Sequence, residues 1–104
     1  MEYIGTYKVR RQMHARPFTD MVNLINGFRE PYSEMDIRVR NSNDSDKDML
    51  PVNARSIMSL LAGNIGSVKG SSVDIIITGE YSVDELKECA NRVGRLFETG
   101  EEYF

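Results

Sequence analysis

The hydrophobic period of this chain switches repeatedly between two and about 3.6 residues, which restricts it to a mixed α and β architecture. Residues 3–9, YIGTYKV, set Tyr3, Gly5, Tyr7 and Val9 against Ile4, Thr6 and Lys8, an alternation that predicts a first strand. From Ala15 the apolar residues Phe18, Met21, Val22, Ile25 and Phe28 fall at helical spacing. Pro17 suits the first turn of that helix, Gly27 weakens its end and Pro31 stops it. Residues 35–40, MDIRVR, alternate again, with Met35, Ile37 and Val39 opposite Asp36, Arg38 and Arg40.

The polar stretch 41–49, NSNDSDKDM, reads as a loop, and Leu50 and Val52 around Pro51 as a short third strand. Residues 53–65 have cap chemistry at their start and Ile57, Met58, Leu60 and Leu61 behind it, with Gly63 and Gly66 limiting the helix. SVDIIIT at 72–78 is the clearest strand and 82–97 the clearest helix. Its Ser82-Val83-Asp84-Glu85 start is a capping box, and Val83, Leu86, Ala90, Val93 and Phe97 form its apolar stripe. Each strand has one polar and one apolar face, so the helices are expected on one side of a mainly antiparallel sheet, in the order β-α-β-β-α-β-α.

With 104 residues the chain fits a single domain, and its net charge of -3 provides no general attraction to nucleic acid or anionic membranes. Cys89 is the one cysteine, which excludes an internal disulfide and favours a reducing compartment. No apolar run approaches membrane-spanning length, so a cytoplasmic location is expected. Asp44, Asp46 and Asp48 are spaced superficially like a calcium loop, but the required glycine and closing glutamate are missing.

Taken alone, the single histidine, His14, says little. Its neighbours give it a chemistry. The first N–H groups of a helix lack intrahelical partners, the macrodipole adds positive potential and Arg16 adds a full charge, so a dianionic group beside His14 is favoured. An imidazole with an ordinary pKa near ~6.5 is largely neutral at cytoplasmic pH, and its ring nitrogen can attack an activated phosphorus to give a phosphohistidine. A helix terminus contributes about 0.3–1 kcal/mol to holding such a group, a scale that permits reversible carriage. Arg16 as a solvated first-turn residue and Pro17 as a helix starter are plainer readings compatible with this chemistry.

HARP at 14–17 followed by VNARSIMSLL at 52–61, on this order of elements, resembles HPr, the histidine-containing phosphocarrier family of the bacterial phosphotransferase system. The resemblance covers nearly the whole chain. It implies an α+β, HPr-like open-faced β-sandwich: a four-stranded antiparallel sheet with three helices on one face, forming one domain over 1–104 with an extended loop at about 41–49. It also implies that His14 accepts a phosphoryl group from phospho-enzyme I and passes it to sugar-specific enzyme II components. Arg16 would stabilise the charge, with no cofactor or metal. Such a protein is a phosphotransfer intermediate without small-molecule turnover of its own.

The same resemblance aligns Ser56 with a regulatory serine that an HPr kinase/phosphorylase modifies, where a phosphoserine would bring nearly two negative charges beside the docking surface. Ser56 also reads as a simple N-cap hydroxyl, in competition with Asn53. The implied partner-docking surface uses Phe18, Thr19, Met58 and Leu61, with Val22 and Ile57, for which helical spacing favours the core. Gln12 and Met13 stand where the family has a glycine and a small apolar residue, and Phe18 stands where it has a small one. The Phe18 ring either reshapes docking or turns inward. The alternative to a carrier is an HPr-like regulatory module that docks on a transcriptional regulator or an enzyme without carrying sugar-transport phosphate. Neither reading involves nucleic acid or membrane insertion.

Overall fold

Two strands far apart in sequence pair with the same late strand, and that pairing organises the sheet. The computed structural model describes residues 1–10, 15–29, 32–42, 50–66 and 70–98, with backbone alone at 15 and 16. The elements are β1 (Glu2–Lys8), α1 (Ala15–Asn26), a 3-10 turn (Tyr32–Glu34), β2 (Asp36–Asn41), β3 (Val52–Asn53), α2 (Ile57–Ala62), β4 (Ser72–Thr78) and α3 (Val83–Glu98). β4 pairs antiparallel with β1, from Glu2 opposite Thr78 to Lys8 opposite Ser72, and with β2, from Asp36 opposite Thr78 to Asn41 opposite Val73. The sheet order is therefore β1-β4-β2-β3, an antiparallel open sheet with three helices, as the sequence order predicts.

Strand alternation decides which side is covered. Gly5, Tyr7, Ile37, Val39, Val73, Ile75 and Ile77 are buried on the helical side. They share one core with Phe18, Met21 and Ile25 of α1, Leu60 of α2, and Leu86, Cys89, Ala90, Val93 and Phe97 of α3. The opposite face departs from the expected polar row at β4, where Ile76 and Asp74 are each only 8% exposed. An inner strand has long side chains reaching over it from both edges. Thr6 Oγ1 donates to Asp74 Oδ1 at 2.8 Å and Arg40 Nε to Asp74 Oδ2 at 3.0 Å, a ladder that follows the register across three strands.

The helix ends obey local chemistry. Glu85 N–H donates to Ser82 Oγ at 3.2 Å and the Ser82 hydroxyl to Glu85 Oε1 at 3.2 Å, so Ser82 caps the helix and Glu85 reaches back to its hydroxyl. Val83, expected in the apolar stripe, is instead 46% exposed because it sits in the first turn, before the helix settles on the sheet. α2 is shorter than the 53–65 span its pattern suggests. Asn53 is held in β3 opposite Arg38, and Arg55 N–H and Ser56 N–H donate to its side chain and carbonyl at 2.9 and 3.2 Å. That turn delays the helix to Ile57, and the left-handed φ of 51° at Asn64 and 62° at Gly66 ends it. The third strand falls at 52–53, leaving Leu50 exposed.

Tyr7 sets how closely α3 approaches the sheet. A Cβ on Gly94 would sit 2.6 Å from the ring's Cγ, and a Cβ on Gly5 would sit 2.7 Å from the hydroxyl oxygen and 2.8 Å from Cε2. The ring therefore lies in a slot that two missing side chains create. Its hydroxyl donates to Asn91 Oδ1 at 2.6 Å, one turn before Gly94 on α3. Burial, then the negative charges nearby, raises the phenol well above the ordinary 10.0. Burial likewise pushes the Cys89 thiol from 9.0 up to about 11.

Gly94→Ala should destabilise the fold by about 1–3 kcal/mol, the scale of overpacking, read as a lowered midpoint in urea at unchanged slope. Both raised groups hold their protons longer folded than unfolded. Their contribution is complete at neutral pH and is lost as pH climbs through 9.0 and then 10.0, where the unfolded chain ionises first. Chemical denaturation across that range should show stability falling with pH, and Tyr7→Phe should flatten the part of the fall above pH 10.0.

Candidate functional site

β1 delivers the chain to the candidate site and three backbone hydrogen bonds pin it there. Val9 N–H donates to Ser71 O at 2.8 Å, Gly70 N–H to Val9 O at 2.7 Å and Arg10 N–H to Phe97 O at 3.0 Å. The last of these ties the strand's end to the C-terminal turn of α3. The chain is next described at Ala15, the first residue of α1. His14, with Gln12 and Met13, lies outside the described residues, and so does the Arg16 side chain. Sequence adjacency places the histidine immediately ahead of a twelve-residue helix, at the end where unpaired amides and the dipole favour negative charge. Lys8 and Arg10 line a cleft of about 300 Å³ with Val9 and Gly70, so the approach to the 11–14 segment is cationic.

The docking residues divide. Phe18 is 1% exposed, so it does not contribute its ring to a surface. At the α1 positions it shares with Met21, Val22 and Ile25 it faces the sheet, and a phenyl group gains far more by filling the core than by meeting water. Val22 is buried and Ile57 packs partly against the core, as their spacing implies. Thr19 is exposed on α1, and Met58 and Leu61, one helical turn apart on α2, are 79% and 42% exposed. α1 and α2 pack against each other, which brings the two elements that carry these residues side by side.

Ser56 is the N-cap of α2. Its backbone is extended, with φ -118° and ψ 112°, and its Oγ accepts from Ser59 N–H at 3.2 Å. Asn53, the rival for that role, is engaged by Arg55 N–H. Arg55 itself has no counterpart in the sequence reading. Its Nη2 donates to Ser33 O at 3.2 Å and Met35 O at 3.0 Å, tying the entry of α2 to the connection before β2. The sequence signal is slight, since a basic residue beside a cap is ordinarily solvated. The Thr6–Asp74–Arg40 ladder was also missed, and it becomes visible only when the strand register is known.

Among the described residues no group of three His, Cys, Asp or Glu side chains is placed to hold a metal ion, and no helix is long and apolar enough to cross a membrane. Residues 43–49, which include Asp44, Asp46 and Asp48 and most of the loop expected at 41–49, lie outside the described residues.

Comparison with known proteins gives this arrangement its relatives. A family model described as the PTS HPr component phosphorylation site matches residues 6–94. The fold is similar to the crystal structure of a phosphocarrier protein HPr from Bacillus anthracis str. Ames, at 26% identity and a TM-score of 0.59, over 86% of this chain and 94% of that one. It is also similar to HPr-C-His from Thermoanaerobacter tengcongensis, at 25% identity and a TM-score of 0.59, over 99% of both chains. A histidine-containing phosphocarrier protein of Mycoplasma shares the fold at 17% identity and a TM-score of 0.58, over 95% of this chain and 94% of that one. No curated protein matches the chain significantly. The family match spans both the HARP segment and the α2 segment on an HPr-like sheet, and the chain belongs to the HPr family of the phosphotransferase system.

Proposed function

We propose that the protein is a phosphocarrier in which His14 accepts a phosphoryl group from phospho-enzyme I and hands it to sugar-specific enzyme II components. The observation that carries this reading is the start of α1 at Ala15, directly after the histidine, within the family match over 6–94. The imidazole lone pair attacks phosphorus, a P–N bond forms as the bond to the donor breaks, and the donor leaves with that electron pair. The acceptor reverses the step. Arg16 and the first-turn amides offset the phosphoryl charge in both directions without trapping it.

Thr19, Met58 and Leu61 provide the docking surface in this reading, with Phe18 supporting α1 from inside. Ser56 is its regulatory position. Phosphorylation by an HPr kinase/phosphorylase would turn a neutral cap hydroxyl into a dianion within two residues of Met58, and so change what α2 can dock against. The capping bond to Ser59 N–H is compatible with that role.

Incubation with enzyme I and phosphoenolpyruvate should give an acid-labile phosphoprotein that His14→Ala abolishes. Arg16→Gln should slow transfer by about tenfold or more, the scale of one charge-assisted hydrogen bond. An unlabelled wild-type chain, under conditions where an ordinary HPr is labelled, would overturn the carrier reading. Partner binding that still responded to Ser56→Asp would then favour the regulatory module. Met58→Asp and Leu61→Asp should each weaken enzyme I docking while leaving the unfolding free energy measured in urea within about 0.5 kcal/mol of wild type, as suits exposed positions.

A further inference from the structure

At the end of α1 opposite the His14 segment, a cleft of about 440 Å³ is lined by Leu24, Gly27, Phe28, Arg29, Tyr32 and Arg92, with Asn23 beside them. That size lies in the small-molecule range of about 300–1,000 Å³. Its walls are aromatic. Phe28 and Tyr32 meet edge to face with centroids 5.7 Å apart at 63°, and the Arg92 guanidinium stands 4.8 Å from the Phe28 ring centroid. At that distance the cation is held by the ring's quadrupole, and a guanidinium has five N–H donors with which to meet a carboxylate.

Among the described residues neither Arg29 nor Arg92 has a carboxylate within 4.0 Å. They are not needed to close α1 either. Gly27 N–H already donates to Asn23 O and Leu24 O at 3.1 Å each, and Phe28 N–H donates to Ile25 O at 3.1 Å. Among the described residues, two negative contributions lie near the cleft. Burial, and then the nearby Glu88 carboxylate, raise the Tyr32 phenol above its ordinary value, and the C-terminal end of α1 carries roughly half a charge. Two guanidinium groups outweigh them.

We propose that this cleft binds a small planar aromatic carboxylate. The carboxylate takes the N–H edge of Arg92 as a bidentate pair, Arg29 supplies the second positive charge, and the ring lies against Leu24 and Tyr32. The twelve residues of α1 put the cleft roughly 18 Å from the helix start, so its occupation and phosphoryl transfer at His14 are separable.

The test is NMR titration of the ¹⁵N-labelled chain with benzoate, and with benzamide as its neutral counterpart. Benzoate should give saturable amide shifts confined to residues 23–32 and 88–95, with benzamide at least about tenfold weaker. Arg92→Gln should weaken benzoate by about ten- to a hundredfold. Both arginines are exposed, and retained amide dispersion in Arg92→Gln and Arg29→Gln shows that each variant is folded. Absence of saturable shifts, equal binding of benzoate and benzamide, or unchanged benzoate binding in both variants would overturn the proposal. Displacement of benzoate by inorganic phosphate at equal concentration would overturn its aromatic half. None of these results depends on whether His14 is phosphorylated.

Discussion

The seating of Tyr7 between Gly5 and Gly94 is the contact on which the rest of the molecule depends. Because neither glycine has a side chain, α3 lies flat on β1, and the Tyr7–Asn91 hydrogen bond fixes its position along the strand. That close approach lets the end of the strand reach the C-terminal turn of the helix, where Arg10 N–H donates to Phe97 O. The segment carrying His14 is consequently strung between two defined points, a pinned strand end and the first turn of α1. A packing constraint in the core thus becomes a positional constraint on the segment that carries His14.

The topology adds the second half of the arrangement. β4 enters the sheet between β1 and β2, so α1 must cross over it to reach β2, and α2 follows from the short edge strand β3. α1 and α2 end up packed side by side, with Met58 and Leu61 left in solvent. Exposed apolar groups of this kind are what the proposed docking surface rests on, since short-lived association with protein partners needs a surface patch that is not already buried.

Much of this was legible in the residues. The alternation of YIGTYKV and SVDIIIT, the helix cap at Ser82 and Glu85, and the helical spacing from Phe18 to Ile25 each depend on local chemistry, and each element formed where that chemistry put it. What the sequence could not show depends on pairing. Asn53 and Ser56 are equivalent as caps until β3 claims Asn53. Asp74 and Ile76 look solvent-facing until β4 is known to be an inner strand. Phe18 could face either way until the sheet beneath α1 is placed, and its ring then belongs to the core. Arg55 bonds carbonyls twenty or more residues away, a contact with no local signature.

With a single histidine in the chain, the central claim can be read at one site. The decisive measurement is the ring-nitrogen spectrum of the ¹⁵N-histidine-labelled protein, recorded with ³¹P coupling after addition of enzyme I and phosphoenolpyruvate. One nitrogen of His14 should shift and split by coupling to phosphorus, then revert when an enzyme II acceptor is added. An unshifted, uncoupled imidazole, alongside full conversion of a reference HPr in the same sample, would contradict the account.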